Sequence, residues 1–234
     1  MKKTGFNYAY APNVAVSHNP QWGRFYESMG QEDEWIEKYG QSFVKGLMDV
    51  GNGKINGVLG GAKHFFGDGA SRFGANEGSA SVINFKTYLK HNSPGYKGAI
   101  ASSLGSVQIS YGGANYIPSA YDSYLKLGYL RENLGFTGFT TTSYNELGRE
   151  DNEFLPRTFY NVTEDEGYAM IVNGGTDMLM IGGSKIMMER ILKHAKKAIE
   201  KGFVLEKRLD ESVVRILSVK FALGLITKVN GEQN

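Results

Sequence analysis

Short apolar runs alternate along the chain with longer stretches in which apolar residues recur every three or four positions. A continuous apolar run predicts a buried strand, whereas the 3.6-residue period predicts an amphipathic helix. The pattern predicts strands over residues 6–16, 57–65, 106–111, 136–142 and 176–181. It predicts helices over residues 33–49, 79–91, 119–133, 163–173, 185–201 and 210–223. This alternation is typical of an α/β fold built on a parallel sheet.

Two of these helices are predicted in more detail. In 185–201 an apolar stripe is formed by Ile186, Met187, Ile191, Leu192, Ala195, Ala198 and Ile199, and Gly202 follows where a glycine commonly ends a helix. The last helix is expected to begin with Asp210 as its N-cap. Its predicted buried residues are Val213, Ile216, Leu217 and Phe221, with Arg215 and Lys220 in solvent.

The chain shows no internal repeat and no Pro/Ser-rich linker, so we expect one domain over residues 1–224 and a polar C-terminal tail over 225–234. A (β/α)8 barrel takes about 250 residues, yet only five strands are predicted here. We therefore expect an incomplete TIM-barrel-like (β/α) domain that lacks at least its first strand. Because such a sheet has an unpaired edge, we also expect a homo-oligomer or a partner chain that completes the barrel.

Composition narrows the classes of function. The 234 residues include no cysteine, which excludes disulfides and thiolate catalysis, and the net charge of +2 gives no reason to expect binding to nucleic acid. No run approaches the ~20 apolar residues of a membrane span, and no signal-peptide core follows the first lysines. The four histidines, His18, His64, His91 and His194, are scattered, and neither a metal motif nor a phosphate-binding motif is present. We therefore expect no metal and no cofactor.

A polar cluster follows each predicted strand, which is where barrel folds place their sites. After the first strand, Trp22, Arg24, Tyr26 and Glu27 suit a sugar, because an aromatic face stacks on C–H groups and a guanidinium presents a fixed fork to hydroxyls. The alternative is a loop that is held by an internal Arg24–Glu27 pair.

The next clusters are less specific. Lys63 and His64 would point to opposite faces of a regular strand, so both reach one ligand only if the strand bends at its end. Alternatively, His64 is a structural residue. Tyr111 either lines a pocket or places its hydroxyl in water. Ser143 lies in a polar turn after the fourth strand, but no G-x-S-x-G motif surrounds it and the spacing supports no Ser-His-Asp triad.

Six ordered segments carry a family resemblance. They read "NYAYAPNVAVSHNPQWGRFYESMGQEDE", "AKHFFGDG", "VQISYGGANYIP", "YLRENLGFTGFTTTSYNELG", "NGGTDMLM" and "RLDESVVRILSVKFALGL". Together they resemble the barrel domain of glycoside hydrolase family 3, the β-glucosidase and exo-glucanase family. The resemblance implies a retaining O-glycosyl hydrolase of class EC 3.2.1 and covers nearly the whole chain.

The resemblance also implies roles for individual residues. By motif position, Arg24, Lys63, His64 and Tyr111 would hold a glycosyl unit. Asp68 and Glu77 lie in matching loops and are further candidates for carbohydrate binding.

The catalytic position departs from the family pattern S-D-W. Ser143 stands where the family has its nucleophilic Asp, and Tyr144 stands where it has Trp. A neutral hydroxyl carries no charge to stabilise an oxocarbenium-like transition state. We therefore expect a catalytically inactive relative that serves as a binding or structural subunit. The alternative is an active β-glucosidase or exo-β-glucanase in which Glu146, Glu150 or Asp151 supplies a displaced carboxylate.

Overall fold

The computed structural model describes residues 1–17, 19–76, 78–146 and 162–226. The helices are α1 (Asp33–Met48), α2 (Phe85–Asn92), α3 (Pro94–Ala101), α4 (Tyr124–Asn133, with π-type hydrogen bonding), α5 (Glu164–Asn173), α6 (Lys185–Glu200) and α7 (Glu206–Ala222). The strands are β1 (Tyr8–Ala9), β2 (Val50–Gly51), β3 (Lys54–Ile55), β4 (Leu59–Phe65), β5 (Ser79–Ala80), β6 (Ser106–Ile109), β7 (Gly113–Ala114), β8 (Ile117–Pro118) and β9 (Phe139–Thr141).

The main sheet is parallel, with the strand order β1-β4-β6-β9. Met178 adds a fifth parallel position through an isolated bridge to Thr141. Successive parallel strands joined by helices are the arrangement of part of a (β/α) barrel. Within the described residues β1 has β4 as its one neighbour and Met178 has Thr141, so the sheet is open at both sides there. The predicted α/β class is confirmed, while a missing first strand stays a prediction.

All five predicted strands are shorter than the pattern suggested, and the first and the last are the most reduced. Residues 6–16 form a strand only at Tyr8–Ala9, because Pro12 has no N–H to donate to the sheet. Pairing resumes at Asn13, which bridges to Lys63 on β4. Residues 176–181 reduce to the single bridge at Met178.

Helix starts follow their capping residues. The Thr163 hydroxyl accepts from the Glu166 N–H, while the Glu166 carboxylate accepts from the Thr163 N–H at 2.7 Å, so a capping box begins α5. The predicted helix 79–91 begins only at Phe85. Ser79–Ala80 pairs with Gly113–Ala114 instead, and the Asn84 side chain caps α2 by accepting from the Thr87 N–H at 3.0 Å. Helix α3 was not predicted as a separate element, and it opens with Pro94.

The prediction for α7 was wrong in its start and its orientation. The helix begins at Glu206 rather than after Asp210, and Val213, Leu217 and Phe221 are exposed. The reason is the buried Asp177 carboxylate, which lies under the helix and accepts hydrogen bonds from three inward-facing side chains, Arg208, Ser212 and Arg215. Those three residues form a polar stripe at helical spacing, so Val213, Leu217 and Phe221 are turned outward, while Ile216 and Val219 still pack against the core.

The core lies between the sheet and helices α1 to α5. Its largest fully buried side chains include Ile36, Met48, Phe65, Phe66, Tyr96, Ile109, Leu125, Leu130 and Ile171. Helices α1 and α3 pack through glycines, because a Cβ on Gly98 would lie 1.9 Å from the Glu37 carbonyl oxygen. The apolar stripe of α6 is only partly confirmed, since Ile191 and Ala198 are buried and Leu192 is exposed.

Candidate functional site

The polar cluster lies at the carboxyl ends of the parallel strands. Lys63 and His64 are on β4, Ser110 and Tyr111 follow β6, and Ser143 follows β9. Because parallel strands end at the same edge of a sheet, the fold brings these residues together. A hydrogen bond connects the ends of β4 and β6, in which the Ser110 N–H donates to the Phe65 carbonyl oxygen at 2.5 Å.

Arg24 is held by the carboxylate of Glu27 in a bidentate pair. Nε lies 2.8 Å from Oε1 and Nη2 lies 2.7 Å from Oε2. Asn13 Nδ2 donates to the same Oε2 at 3.1 Å. The hydrogen bonds from Arg24 hold the pKa of Glu27 at about 2, against the opposing effect of burial, with Asn13 adding to the lowering. The predicted internal pair therefore forms, and it leaves Arg24 Nη1 directed at the His64 ring, 3.4 Å from Nε2.

His64 belongs to a chain of buried hydrogen bonds. Its Nδ1 lies 2.7 Å from Asp68 Oδ2, and the Ser110 hydroxyl donates to Asp68 Oδ1. The Gly112 N–H in turn donates to the Ser110 oxygen at 2.8 Å. These hydrogen bonds fix the plane of the imidazole ring, so a structural role and a binding role of His64 are compatible.

Lys63 and His64 both lie close to Arg24. A common ligand requires this, because neighbouring residues of a regular strand would point to opposite faces. The register of β4 against β6 shifts between Ala62 and Phe65, and the Lys63–His64 and Phe65–Phe66 peptide bonds are cis. Burial lowers the pKa of Lys63, and the neighbouring Arg24 charge lowers it further. Among the described residues the Lys63 ammonium group has no hydrogen-bond or ion-pair partner.

Ser143 is buried, and its hydroxyl donates to the Ile109 carbonyl oxygen at 3.0 Å. No imidazole or carboxylate of the described residues hydrogen-bonds this hydroxyl, so the geometry supplies no base to activate it. The next residue, Tyr144, accepts a hydrogen bond at its carbonyl from the Tyr111 hydroxyl. Tyr111 therefore fixes the backbone beside Ser143, and the alternative of a hydroxyl directed only into water is wrong.

The other sequence candidates fall in different places. Glu146 is buried, and its charge acts on the fully buried Lys126 of α4, whose pKa burial lowers to about 7. Glu77, Glu150 and Asp151 lie outside the described residues, as do His18 and most of the tail, residues 227–234. Trp22 is buried and is not available to stack on a ligand, whereas Tyr26 is exposed.

Sequence reasoning missed Asn13 and Ser110, which orient Glu27 and Asp68. The signal that could have found Ser110 is its position directly before Tyr111, at the end of a buried strand.

Open space adjoins the loop after Asp68, although Arg24, Lys63 and His64 do not line it. A concavity of about 470 Å³ is lined there by residues that include Val16, Gly69, Ser71 and Tyr88. A second concavity of about 640 Å³ lies beside α5, and none of the cluster residues lines it.

Two general properties can be stated for the described part of the chain. It contains no group of three or more His, Asp or Glu side chains arranged to hold a metal ion. None of its helices combines the length and apolar character needed to cross a membrane.

An open parallel sheet with a polar cluster at its carboxyl edge defines a (β/α) fold of the barrel type. Comparison with known proteins gives the family. The model of the glycosyl hydrolase family 3 N-terminal domain matches residues 1–219. The chain therefore belongs to glycosyl hydrolase family 3, as the sequence motifs predicted.

Individual relatives agree with this assignment. The chain is 28% identical over 227 residues to a beta-xylosidase of Formosa agariphila, covering 94% of this chain and 31% of the relative. It is 26% identical over 221 residues to a periplasmic beta-glucosidase of Salmonella typhimurium, covering 94% of this chain and 27% of the relative. The solved structure of a mutant exo-1,3/1,4-beta-glucanase from a Pseudoalteromonas species superposes with a TM-score of 0.84 at 29% identity, covering 96% of this chain and 34% of that one. The chain thus spans about a third or less of the length of these relatives.

Proposed function

We propose that this chain binds a carbohydrate at the Arg24–Lys63–His64 cluster and does not hydrolyse it. Ser143 carries the proposal, because by motif position it corresponds to the family nucleophile, and its buried hydroxyl donates to the Ile109 carbonyl oxygen. Retaining hydrolysis needs a carboxylate there to attack the anomeric carbon and to stabilise the positive charge that develops on the sugar ring.

The binding half of the proposal rests on groups that are already oriented. Arg24 is locked by Glu27, and His64 is locked by Asp68, so neither side chain loses much conformational freedom when a ligand arrives. We assign these two residues and Lys63 to hydrogen bonds with sugar hydroxyls. Tyr111 has a positioning role through the Tyr144 carbonyl.

The test measures hydrolysis and binding separately. Turnover of 2,4-dinitrophenyl β-glucoside and β-xyloside tests for chemistry with a leaving group that needs no acid catalyst, while calorimetry with the methyl β-glycosides tests for binding. We expect binding that Arg24→Ala weakens by at least about tenfold and no turnover above buffer. Lys38→Gln, on the exposed surface of α1, is the matched control for a lost positive charge. Turnover by the native sequence that Arg24→Ala abolishes would overturn the proposal.

The alternative is an active β-glycosidase in which a displaced carboxylate replaces the missing nucleophile. The intact Arg24, Lys63 and His64 cluster favours it. Incubation with an activated 2-fluoro-glycoside followed by peptide mapping decides between the two, because a covalent adduct on Glu146, Glu150 or Asp151 would establish the alternative.

A further proposal concerns assembly. The open sides of the sheet at β1 and at Met178, together with exposed apolar residues on α7, support a second copy or a partner chain that covers them. Light scattering coupled to gel filtration tests this. A monomer that stays monodisperse at high concentration, with no copurifying chain, would contradict it.

A further inference from the structure

The charges of the cluster are unevenly paired. It contains two fixed cations, Arg24 and Lys63, and two carboxylates, Glu27 and Asp68. The Glu27 oxygens both accept from Arg24, and one of them also accepts from Asn13. The Asp68 oxygens face His64 and the Ser110 hydroxyl. Both carboxylates are therefore occupied by groups other than Lys63.

Lys63 is left as a half-buried ammonium group without a bonded counterion in the described residues. Holding a charge out of water costs free energy unless an opposite charge or several acceptors compensate it. The cost is visible in the lowered pKa of Lys63, because burial and the Arg24 charge lower it and the charges of Glu27 and Asp68 offset this only in part. A ligand that brings a negative charge to this position gains a direct ion pair with Lys63, which the described residues do not supply.

Ser143 supplies a neutral hydroxyl at the same edge of the sheet. Its hydroxyl donates to the carbonyl oxygen of Ile109, the residue before Ser110. The Ser110 hydroxyl in turn donates to Asp68. An aspartate at position 143 would add a third carboxylate to the same edge of the sheet. Ser143 and the preceding Thr141 and Thr142 carry no charge, and the buried carboxylate that follows, Glu146, acts on Lys126 of α4.

We propose that the preferred ligand is an anionic glycosyl unit, a uronate or a sulfate ester, whose negative group pairs with Lys63. This inference rests on the proposed function, since it names the class of sugar for the same site. Arg24 and His64 contact the hydroxyls of the ring, and Lys63 supplies the interaction that separates a charged sugar from a neutral one.

The experiment compares matched ligands by calorimetry at low salt: methyl β-D-glucoside, its glucuronide and its 6-sulfate. We expect at least one anionic ligand to bind at least about tenfold more tightly than the neutral glucoside. The two anionic arms distinguish a carboxylate from a sulfate. The advantage should shrink as salt is added, because ionic attraction at a partly exposed site is screened.

Variants separate the role of Lys63 from folding. Lys63→Met should remove the preference for the anionic ligand, and Lys63→Arg, which keeps the charge, should retain most of it. Ser143→Asp should weaken anionic binding by restoring a carboxylate to the site, whereas Lys38→Gln should leave the preference unchanged. Thermal melts establish that each variant is folded.

The outcomes also separate this inference from the function on which it depends. If the neutral glucoside binds as tightly as both anionic ligands, the inference is wrong and the proposed carbohydrate site stands. If none of the three binds, both are wrong. If an anionic preference survives Lys63→Met in a folded protein, Lys63 is not the charge partner and the inference is overturned.

Discussion

Replacing Lys126 by Met should make the stability of this protein less dependent on pH. Lys126 lies in α4 with no exposed surface, and its ammonium group donates to the carbonyl oxygens of Ser119, at 3.2 Å, and Ala120. Burial lowers its pKa to about 7 from 10.5, and the negative charges of Asp122 and Glu146 oppose that shift only in part.

The direction of the effect follows from proton linkage. Between pH 7 and 10.5 the unfolded chain holds a proton on this lysine that the native protein has lost. The free energy of unfolding therefore rises with pH across that window. A shift of this size corresponds to a penalty of about 5 kcal/mol at low pH, which falls by about 3 kcal/mol between about pH 7 and about pH 9.5. Methionine fills a similar volume and has no proton to release.

Urea unfolding followed by circular dichroism measures the free energy of unfolding across this pH range. We expect the stability of Lys126→Met relative to the native sequence to fall by about 3 kcal/mol from the lower to the higher pH. Lys38→Met, on the exposed surface of α1, should show a constant difference. The upper end of this pH range lies below the pH at which Tyr8, Tyr88 and Tyr96 ionise in the native protein, because burial raises the pKa of each. A difference for Lys126→Met that stays flat with pH would refute the reasoning.

Two further substitutions test the packing and the buried charge network. Gly98→Ala should destabilise the protein by about 1–3 kcal/mol in urea unfolding, because its Cβ would meet the Glu37 carbonyl, whereas Gly46→Ala, which has open space, should be neutral or stabilising. Asp177→Asn should cost about 3–5 kcal/mol, because buried guanidinium groups lose their counterion, and an exposed Asp210→Asn change should cost little by comparison. If Gly98→Ala and Gly46→Ala changed the free energy of unfolding equally, the packing argument would be wrong. If Asp177→Asn and Asp210→Asn did so, the charge argument would be wrong.

Periodicity predicted the ends of some helices to within a residue. Residues 33–49 and 163–173 form helices within a residue of the predicted ends. The pattern failed where tertiary contacts override it. The first strand is interrupted at Pro12, and α7 is rotated by the attraction of Arg208 and Arg215 to Asp177, which lies thirty or more residues away in sequence.

The candidate site was predictable as a set of positions but not as a set of bonds. The fold brings Lys63, His64 and Ser143 to the carboxyl edge of the sheet and Arg24 against the His64 ring, while their roles stay predictions. The pairing of each carboxylate, and hence the unpaired charge of Lys63, depends on distances that no local pattern encodes. Lys126 was missed because a lysine in an amphipathic helix is ordinarily expected to face solvent.

The Asp177 carboxylate has a consequence for the way this domain opens. It accepts hydrogen bonds from Arg131 of α4, from the Thr140 N–H of β9, and from Arg208, Ser212 and Arg215 of α7. Local separation of α7 would remove Arg208, Ser212 and Arg215 from Oδ1 of that buried carboxylate, which is costly. Helix α7 should therefore unfold together with β9 and α4 as one cooperative unit. In hydrogen exchange, its central amides should be protected as strongly as those of the sheet instead of fraying independently.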